Sequence, residues 1–178
     1  MVKDEYPLQA ALNGNRDHPA VPRTPDELAE VARAAIDAGA TSVHLHPYDE
    51  SGSQTLAAEP CANAIREVRD ACPGIPISLS TSAGIVPDPK LRHELVASWT
   101  ELPNFVSANQ GEKGIHELCE LLIERGIGIE AGLLSLDDAH AFVESGISSQ
   151  CERVLVEPLD ADPHDGCHSC CLHRTNAR

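Results

Sequence analysis

The chain has 178 residues, of which 42% are hydrophobic, and its 28 acidic and 13 basic side chains give a formal net charge of −15. This excess of negative charge disfavours electrostatic binding to nucleic acid or to anionic membranes. No apolar run reaches the roughly 18 residues that cross a bilayer, and the polar opening MVKDEYPLQAALNG lacks the apolar segment of a signal peptide. We therefore expect one compact cytoplasmic domain without nucleic-acid or membrane partners.

Short apolar stretches alternate with amphipathic ones from residue 6 to about residue 158. The apolar stretches predict six strands, at Pro7–Leu12, Ser42–His46, Ile75–Ser80, Asn104–Ala108, Ile127–Ala131 and Arg153–Glu157. Between them, apolar residues recur at the spacing of a helix. In the clearest helix, Thr24 is a good N-cap, Pro25 suits the first helical position, and Glu27 completes a capping box. Gly39 supplies the stop at its C-terminus.

The same rules place three further helix boundaries. The pair Asp88-Pro89 opens one helix as Thr24-Pro25 opens the first. Gly126 ends the amphipathic segment GIHELCELLIERG, and Ser135 caps the next segment, which stops at Gly146.

This alternation predicts a mostly parallel sheet with helices outside it, either a doubly wound open sheet or a (β/α)8 barrel. The turn LNGNRDHPAVP after the first strand lacks the G-x-G-x-x-G of a dinucleotide site, and no G-x-x-x-x-G-K-[ST] occurs. A barrel gathers the carboxyl ends of its strands into one site. It is favoured because polar residues end nearly every strand: Asn13, His44, His46, Ser80, Thr81, Ser82, Ser107, Asn109, Glu130 and Glu157.

A complete barrel of this kind has eight strands and about 250 residues. Six strands are predicted here, so we expect an incomplete α/β barrel of the TIM type, with about six βα units over residues 1–163.

The most specific local pattern is His44-Leu45-His46 within the second predicted strand. Residues two apart in a strand point to the same side, so both imidazoles project from one face. Two imidazoles placed in this way at a strand end can bind one divalent metal, most simply zinc. The alternative is a pair of hydrogen-bonded core histidines, but the strand pattern and the following Pro47 favour the metal site.

Three other strand ends carry polar groups suited to binding. The turn from Ser80 to Gly84 offers hydroxyls and backbone amides for a carboxylate or phosphate, although an ordinary Ser/Thr turn has the same composition. Ser107 and Asn109 could orient a carbonyl or a carboxylate, and Asn109 could equally be a turn residue. Glu130 lies in an apolar strand, so it needs a metal, an arginine or a substrate beside it.

Taken together, six segments resemble the β-keto acid cleavage enzymes, which include the 3-keto-5-aminohexanoate cleavage enzyme. They are ALNGNRDHPAVPRTPDELAEVA, AGATSVHLHPYDESGSQTL, PISLSTSAGI, NFVSANQGEKG, GIGIEAGL and RVLVEPLDADP, in order over residues 6 to 163. The resemblance implies a zinc-dependent (β/α)8 barrel that combines a β-keto acid with acetyl-CoA and releases acetoacetate and a new acyl-CoA. It also implies a homo-oligomer, since the family tends to form homotetramers.

The resemblance extends to individual residues. It matches His44 and His46 to the zinc ligands, the turn at Ser80 to Ser82 to the carboxylate-binding turn, Ser107 and Asn109 to a substrate-facing pair, and Glu130 to an active-site acid. A Lewis-acid metal in such a site polarises the keto oxygen during C–C cleavage. The full expectation is metal binding by His44 and His46, catalytic roles for Ser82, Ser107 and Glu130, and substrate binding by Asn13, Ser80, Thr81 and Asn109. Arg16 and Arg23 are candidates for contacts with coenzyme A.

The chain also departs from the family pattern. Tyr48-Asp49 follows the histidine pair where the family usually has an arginine before the aspartate. The resemblance ends near Pro163, before the strand on which the family carries its third zinc ligand, a glutamate, and a catalytic aspartate. We therefore expect a chain truncated after about residue 163. Two alternatives stay open: a catalytically incomplete remnant of the family, and another metal-dependent TIM-barrel aldolase or hydrolase.

The seven cysteines fall into two groups. Those at 61, 72, 119 and 151 are scattered, and we expect them to be buried small hydrophobic residues. The other three lie within residues 164–178, in the sequence HDGCHSCCLHRTNAR, where Cys167 and Cys170 have the spacing of a zinc site. We favour a disordered or non-native tail, produced by a frameshift or a splice or assembly error, because only Leu172 and one alanine accompany the cysteines as apolar residues.

Overall fold

The computed structural model describes residues 7–157, which form one sheet of six parallel strands in the order β1 to β6. Their bounds are β1 Gln9–Ala11, β2 Ser42–Leu45, β3 Ile77–Ser80, β4 Phe105–Asn109, β5 Gly128–Leu133 and β6 Arg153–Val156. Every strand pairs with its neighbour in sequence. A doubly wound sheet would reverse its strand order at a switch point. The continuous order and the curl of the sheet confirm an incomplete α/β barrel of the TIM type.

Five helices connect the strands: α1 Pro25–Asp37, α2 Ala58–Ala71, α3 Pro89–Ala97, α4 Ile115–Glu124 and α5 Leu136–Ser145, with a 3-10 turn at Ser148–Gln150 before β6. All six predicted strands are present, with bounds that differ from the prediction by at most two residues. No described helix has the length and apolar content needed to cross a membrane. The predicted tail at residues 164–178 lies outside the described residues.

The helix boundaries follow the predicted capping chemistry. The Thr24 hydroxyl accepts a hydrogen bond from the backbone N–H of Glu27 at 3.3 Å, and the Glu27 carboxylate accepts one from the Thr24 N–H at 3.0 Å. Gly39, two residues past the end of α1, has φ +106°, which glycine adopts without strain. Helix α2 begins after Ala57 without any side-chain cap. The capping rules therefore could not predict where this helix starts.

Alternation along the strands separates an apolar layer from a polar one. The side chains that face the helices are completely buried: Val43, Leu45, Ile77, Leu79, Val106, Ala108, Ile129 and Ala131. The residues between them are mostly polar and line the interior of the curled sheet: His44, Ser78, Ser80, Ser107 and Glu130. The fold therefore places the candidate functional residues together on the concave side.

Strand β6 differs from the other strands on its outward face. Val154 and Val156 are in register with Ala131 and Leu133 of β5, yet they are 48% and 53% exposed. Within residues 7–157 no helix covers these two valines, and β6 is the last strand in the sheet order. In the described part of the chain, β6 is therefore an edge strand with an exposed apolar face.

Three of the four scattered cysteines are buried as expected, and the fourth, Cys151, is half-buried. Burial raises the pKa of the Cys61 thiol to about 12 and that of the Cys119 thiol to about 11. These thiols therefore behave as small apolar groups near neutral pH.

Candidate functional site

His44 and His46 meet at the carboxyl end of β2, on the interior face of the sheet. Their ring centroids are 5.3 Å apart and the ring planes are inclined by 82°. The prediction that both side chains project from one face of the strand is confirmed by this contact.

Each imidazole is held through its Nδ1 atom. Nδ1 of His44 lies 2.9 Å from the Ser78 hydroxyl on β3, and Nδ1 of His46 lies 2.9 Å from Oε1 of Gln54. The Asn13 amide also clamps the His46 backbone, since its Oδ1 accepts from the His46 N–H at 2.8 Å and its Nδ2 donates to the His46 carbonyl at 2.9 Å. Asn13 thus extends the pairing of β1 with β2 and positions His46.

Burial keeps both rings neutral near neutral pH. Removal from solvent lowers the pKa of His44 to about 4, with further contributions from nearby His46 and Arg153. Burial also lowers the pKa of His46, and its hydrogen bond to Gln54 acts in the opposite direction. Neutral imidazole is the form that binds metals.

The chemistry of this pair fits two ligands of a divalent metal. Both Nδ1 atoms are engaged in the protein, which leaves the two Nε2 atoms as donors. Catalytic zinc sites usually have three protein ligands. Residues 7–157 contain no group of three or more His, Cys, Asp or Glu side chains placed to hold one ion.

The turn after β3 uses most of its hydroxyls within the protein. The Thr81 hydroxyl donates to the Ser107 carbonyl at 2.8 Å, and the Ser82 hydroxyl donates to Glu112 at 3.2 Å. The buried Ser80 hydroxyl accepts a long bond, 3.4 Å, from the Ser82 N–H. Thr81 and Ser82 therefore stabilise the turn. Among the described residues, the Ser80 hydroxyl has no acceptor and can donate a hydrogen bond to a bound molecule.

Sequence reasoning missed Glu112, which binds four groups around this turn. Its carboxylate accepts from the Ala83 N–H at 2.8 Å, the Ser82 hydroxyl at 3.2 Å and Nδ2 of Asn109 at 2.9 Å. It also forms an ion pair with Nη1 of Arg92 at 2.7 Å, and Arg92 is only 1% exposed. The turn predicted to bind an external carboxylate thus already holds a carboxylate of the protein. The NQGEKG segment contained the glutamate, but its arginine partner lies twenty residues earlier on α3.

Four interior residues line up across β3 to β6. Ser80 is in register with Ser107, Ser107 with Glu130, and Glu130 with Arg153. Of the three partners expected for buried Glu130, the structure places an arginine, because Nε of Arg153 donates to its carboxylate. The structure gives the Ser107 hydroxyl no hydrogen-bond partner among residues 7–157.

Arg153 also packs its guanidinium over the Phe105 ring, 4.6 Å from the ring centroid. Its Nη2 atom is buried and has no hydrogen-bond partner in the described part of the chain. Sequence reasoning had assigned Arg153 only to a strand.

The chain is similar to a known protein family over most of its length. The family model described as "beta-keto acid cleavage enzyme" matches residues 7–147. The chain belongs to the β-keto acid cleavage enzyme family. This membership confirms the resemblance carried by the six sequence segments.

Two curated relatives illustrate the range of this family. The chain is 31% identical over 170 residues to a 3-keto-5-aminohexanoate cleavage enzyme of Fusobacterium nucleatum, covering 87% of this chain and 61% of that protein. It is 36% identical over 74 residues to a 3-oxoadipate:acetyl-CoA acetyltransferase of Cupriavidus necator, covering 42% of this chain and 26% of that protein. The chain therefore spans about three-fifths of the length of the first relative.

A solved structure supports the fold alone. The N-acetylneuraminate lyase of Proteus mirabilis superposes with a TM-score of 0.55 at 11% sequence identity, covering 93% of this chain and 59% of that chain. At this identity the likeness shows only that the β-keto acid cleavage family member shares its barrel architecture with that lyase.

Gly132 on β5 explains how Asn109 fits inside this member of the β-keto acid cleavage family. A Cβ atom at position 132 would lie 2.5 Å from Oδ1 of Asn109. The missing side chain therefore lets the Asn109 amide approach the neighbouring strand while its Nδ2 donates to Glu112.

A cleft of about 820 Å³ lies between the loop after β2 and the start of α1. The Arg23 guanidinium lies there, 5.5 Å from the centroid of the Tyr48 ring. Three carboxylates line the same cleft, those of Asp49, Glu50 and Glu59. The charge of this lining does not favour the phosphate groups of coenzyme A, although Arg23 was a candidate for contacting them.

Proposed function

We propose that the chain carries the metal-binding half of a β-keto acid cleavage site, which combines a β-keto acid with acetyl-CoA and yields acetoacetate and a new acyl-CoA. The observation that carries the proposal is the contact of His44 with His46 at the carboxyl end of β2. Family membership and the names of the two curated relatives support it.

The Nε2 atoms of His44 and His46 are the proposed ligand atoms for the metal. Zinc bound there would act as a Lewis acid that polarises the keto oxygen of the substrate. The burial that keeps both rings neutral prepares these nitrogen atoms for ligation.

The hydroxyls of Ser80 and Ser107 are the proposed contacts for the substrate's carboxylate or keto oxygen. These residues are in register on adjacent strands, and among the described residues neither hydroxyl has an acceptor for its proton. Glu130 lies in register with Ser107 on β5 and is the proposed acid–base group, held in place by Arg153.

The other predicted site residues, including Ser82, for which a catalytic role was expected, act indirectly in this proposal. The amide of Asn13 orders the backbone of His46, and Asn109 is fixed by its bond to Glu112. Thr81 and Ser82 orient the turn that presents Ser80. This arrangement favours positioning roles for these four residues over direct contact with the substrate.

Metal analysis of purified protein tests the proposed centre. We expect stoichiometric zinc that is lost in His44→Ala and in His46→Ala and retained in His140→Ala, which changes an exposed histidine on α5. Zinc that is lost only in Cys170→Ala would move the metal away from the histidine pair and refute the proposed centre.

Turnover is tested separately, by incubating the zinc-loaded chain with 3-oxoadipate or 3-keto-5-aminohexanoate and acetyl-CoA. Acetoacetate and a new acyl-CoA, detected by mass spectrometry, are the expected products. The second candidate function is zinc binding without turnover. It is supported by the absence, within residues 7–157, of any group of three or more potential ligands. Zinc bound by the histidine pair with no product from either acid would establish this second candidate.

A further inference from the structure

The loop after β2 folds back beside the histidine pair. The Asp49 N–H donates to the Ser53 carbonyl at 2.9 Å, and the Thr55 N–H donates to the Pro47 carbonyl at 3.0 Å. Tyr48 and Gln54 consequently face each other as an antiparallel bridge. This turn brings the Gln54 side chain to the ring of His46.

A directed chain of hydrogen bonds runs from the loop after β1 to His46. The Tyr48 hydroxyl lies 2.5 Å from the Gly14 carbonyl, which can only accept, so this hydroxyl is the donor. The Tyr48 oxygen in turn accepts from Nε2 of Gln54 at 3.3 Å. The other end of the amide, Oε1 of Gln54, is thereby turned toward Nδ1 of His46 at 2.9 Å.

The direction of this chain determines where His46 carries its proton. An amide oxygen cannot donate, so Nδ1 of His46 must be the donor in its contact with Gln54. A neutral imidazole has one N–H, and Nε2 of His46 is therefore left with an unprotonated lone pair. The Asn13 clamp on the His46 backbone keeps the ring in reach of this chain.

We propose that Tyr48 and Gln54 are positioning residues that fix His46 in its Nδ1–H tautomer and so present the Nε2 lone pair for ligation. This assigns a role to Tyr48, which stands where the family pattern differs. His44 has no equivalent device, because its Nδ1 contacts a serine hydroxyl that can either donate or accept. That a metal binds to this Nε2 atom rests on the proposed function, whereas the assignment of the tautomer does not.

NMR spectroscopy of the metal-free chain with ¹⁵N-labelled histidine reads the tautomer directly. The His46 signals are assigned by their loss in His46→Gln. We expect Nδ1–H in the wild type and in Gln54→Glu, which keeps an acceptor at position 54. In Gln54→Ala the acceptor is gone, and in Tyr48→Phe the amide is no longer oriented, so both variants should show mixed tautomers. Gln150→Ala, at an exposed position, is the matched control and should leave the spectrum unchanged.

Zinc affinity, measured by competition with a chromophoric chelator, supplies the second readout. Loss of an orienting partner of a metal-bound histidine typically weakens binding by about 10-fold or more, and we expect this for Gln54→Ala with no change for Gln150→Ala. Should Gln54→Ala fail to fold, Tyr48→Phe carries the same test, with folding checked by circular dichroism.

The outcomes separate this inference from the proposed function. An Nε2–H tautomer in the wild type, or a tautomer unchanged in both Gln54→Ala and Tyr48→Phe, overturns the inference even if zinc binds. An Nδ1–H tautomer that shifts in both variants supports the inference, and if the same wild-type chain takes no zinc, the proposed function fails alone.

Discussion

Replacement of Glu112 by alanine should be among the most destabilising single substitutions in the chain. It removes the acceptor of four hydrogen bonds and leaves Arg92, which is 1% exposed, without its counter-charge. Among residues 7–157, the Arg92 guanidinium would keep only its bond to the Lys113 carbonyl. The substitution therefore removes the hydrogen bonds that hold the turn after β3 and also leaves a buried charge without a partner.

The size of the effect follows mainly from the buried charge. Breaking a buried ion pair by removing one partner costs about 3–5 kcal/mol, and the Glu112 side chain is itself only 15% exposed. Native proteins typically have a free energy of unfolding of about 5–15 kcal/mol. This substitution would therefore remove a large share of the chain's stability. For a chain of this length, each lost kcal/mol lowers Tm by about 2–4 °C.

Urea unfolding followed by the fluorescence of Trp99, the only tryptophan, measures the change. Arg92→Met in the Glu112→Ala background removes the stranded charge, so the double variant should be more stable than Glu112→Ala alone. Glu94→Ala, an exposed glutamate on the same helix as Arg92, should unfold like the wild type. A double variant less stable than Glu112→Ala would refute the reasoning from the buried charge.

Three further substitutions or measurements test other parts of the structure. Thr24→Ala should cost about 1 kcal/mol through loss of the helix cap, as measured by the midpoint of thermal unfolding; an unchanged midpoint would contradict the capping role. Gly132→Ala should cost about 1–3 kcal/mol because its new Cβ lies 2.5 Å from Oδ1 of Asn109, whereas Gly14→Ala, with open space around it, should be neutral in the same urea titration. Burial raises the pKa of the Cys61 thiol from 9.0 to about 12, so iodoacetamide should label it only after unfolding, and the native state should lose stability as pH rises above 9 because unfolding then releases a proton. Rapid labelling of the native protein at Cys61 would show that this thiol is not buried.

Local rules predicted the strands and most helix boundaries, and the polar residues at the strand ends favoured a barrel over a doubly wound sheet. Apolar strands that alternate with amphipathic helices favour parallel pairing. Cap residues such as Thr24 and Ser135 set helix starts through contacts within one turn. The start of α2 was not visible because Ala57 provides no side-chain cap. The six predicted strands are all found within residues 7–157, since each strand is a separate apolar run.

The candidate site was only partly predictable from the sequence. The geometry of His44 and His46 follows from the two-residue period of one strand, so the contact between them could be anticipated. The pairing of Glu112 with Arg92, and of Glu130 with Arg153, joins residues 20 or more positions apart. Such pairings depend on how neighbouring βα units pack, and no periodicity within one element records them.

The sequential order of the strands bears on how the chain reaches this structure. Each strand finds its partner one βα unit earlier, so every stage of synthesis offers an emerging strand a template that already exists. Each pairing spans about one βα unit, so its loop-closure cost is lower than that of a pairing between distant strands. The sheet can therefore be laid down from the N-terminus as translation proceeds, with the most recent strand always serving as the growing edge.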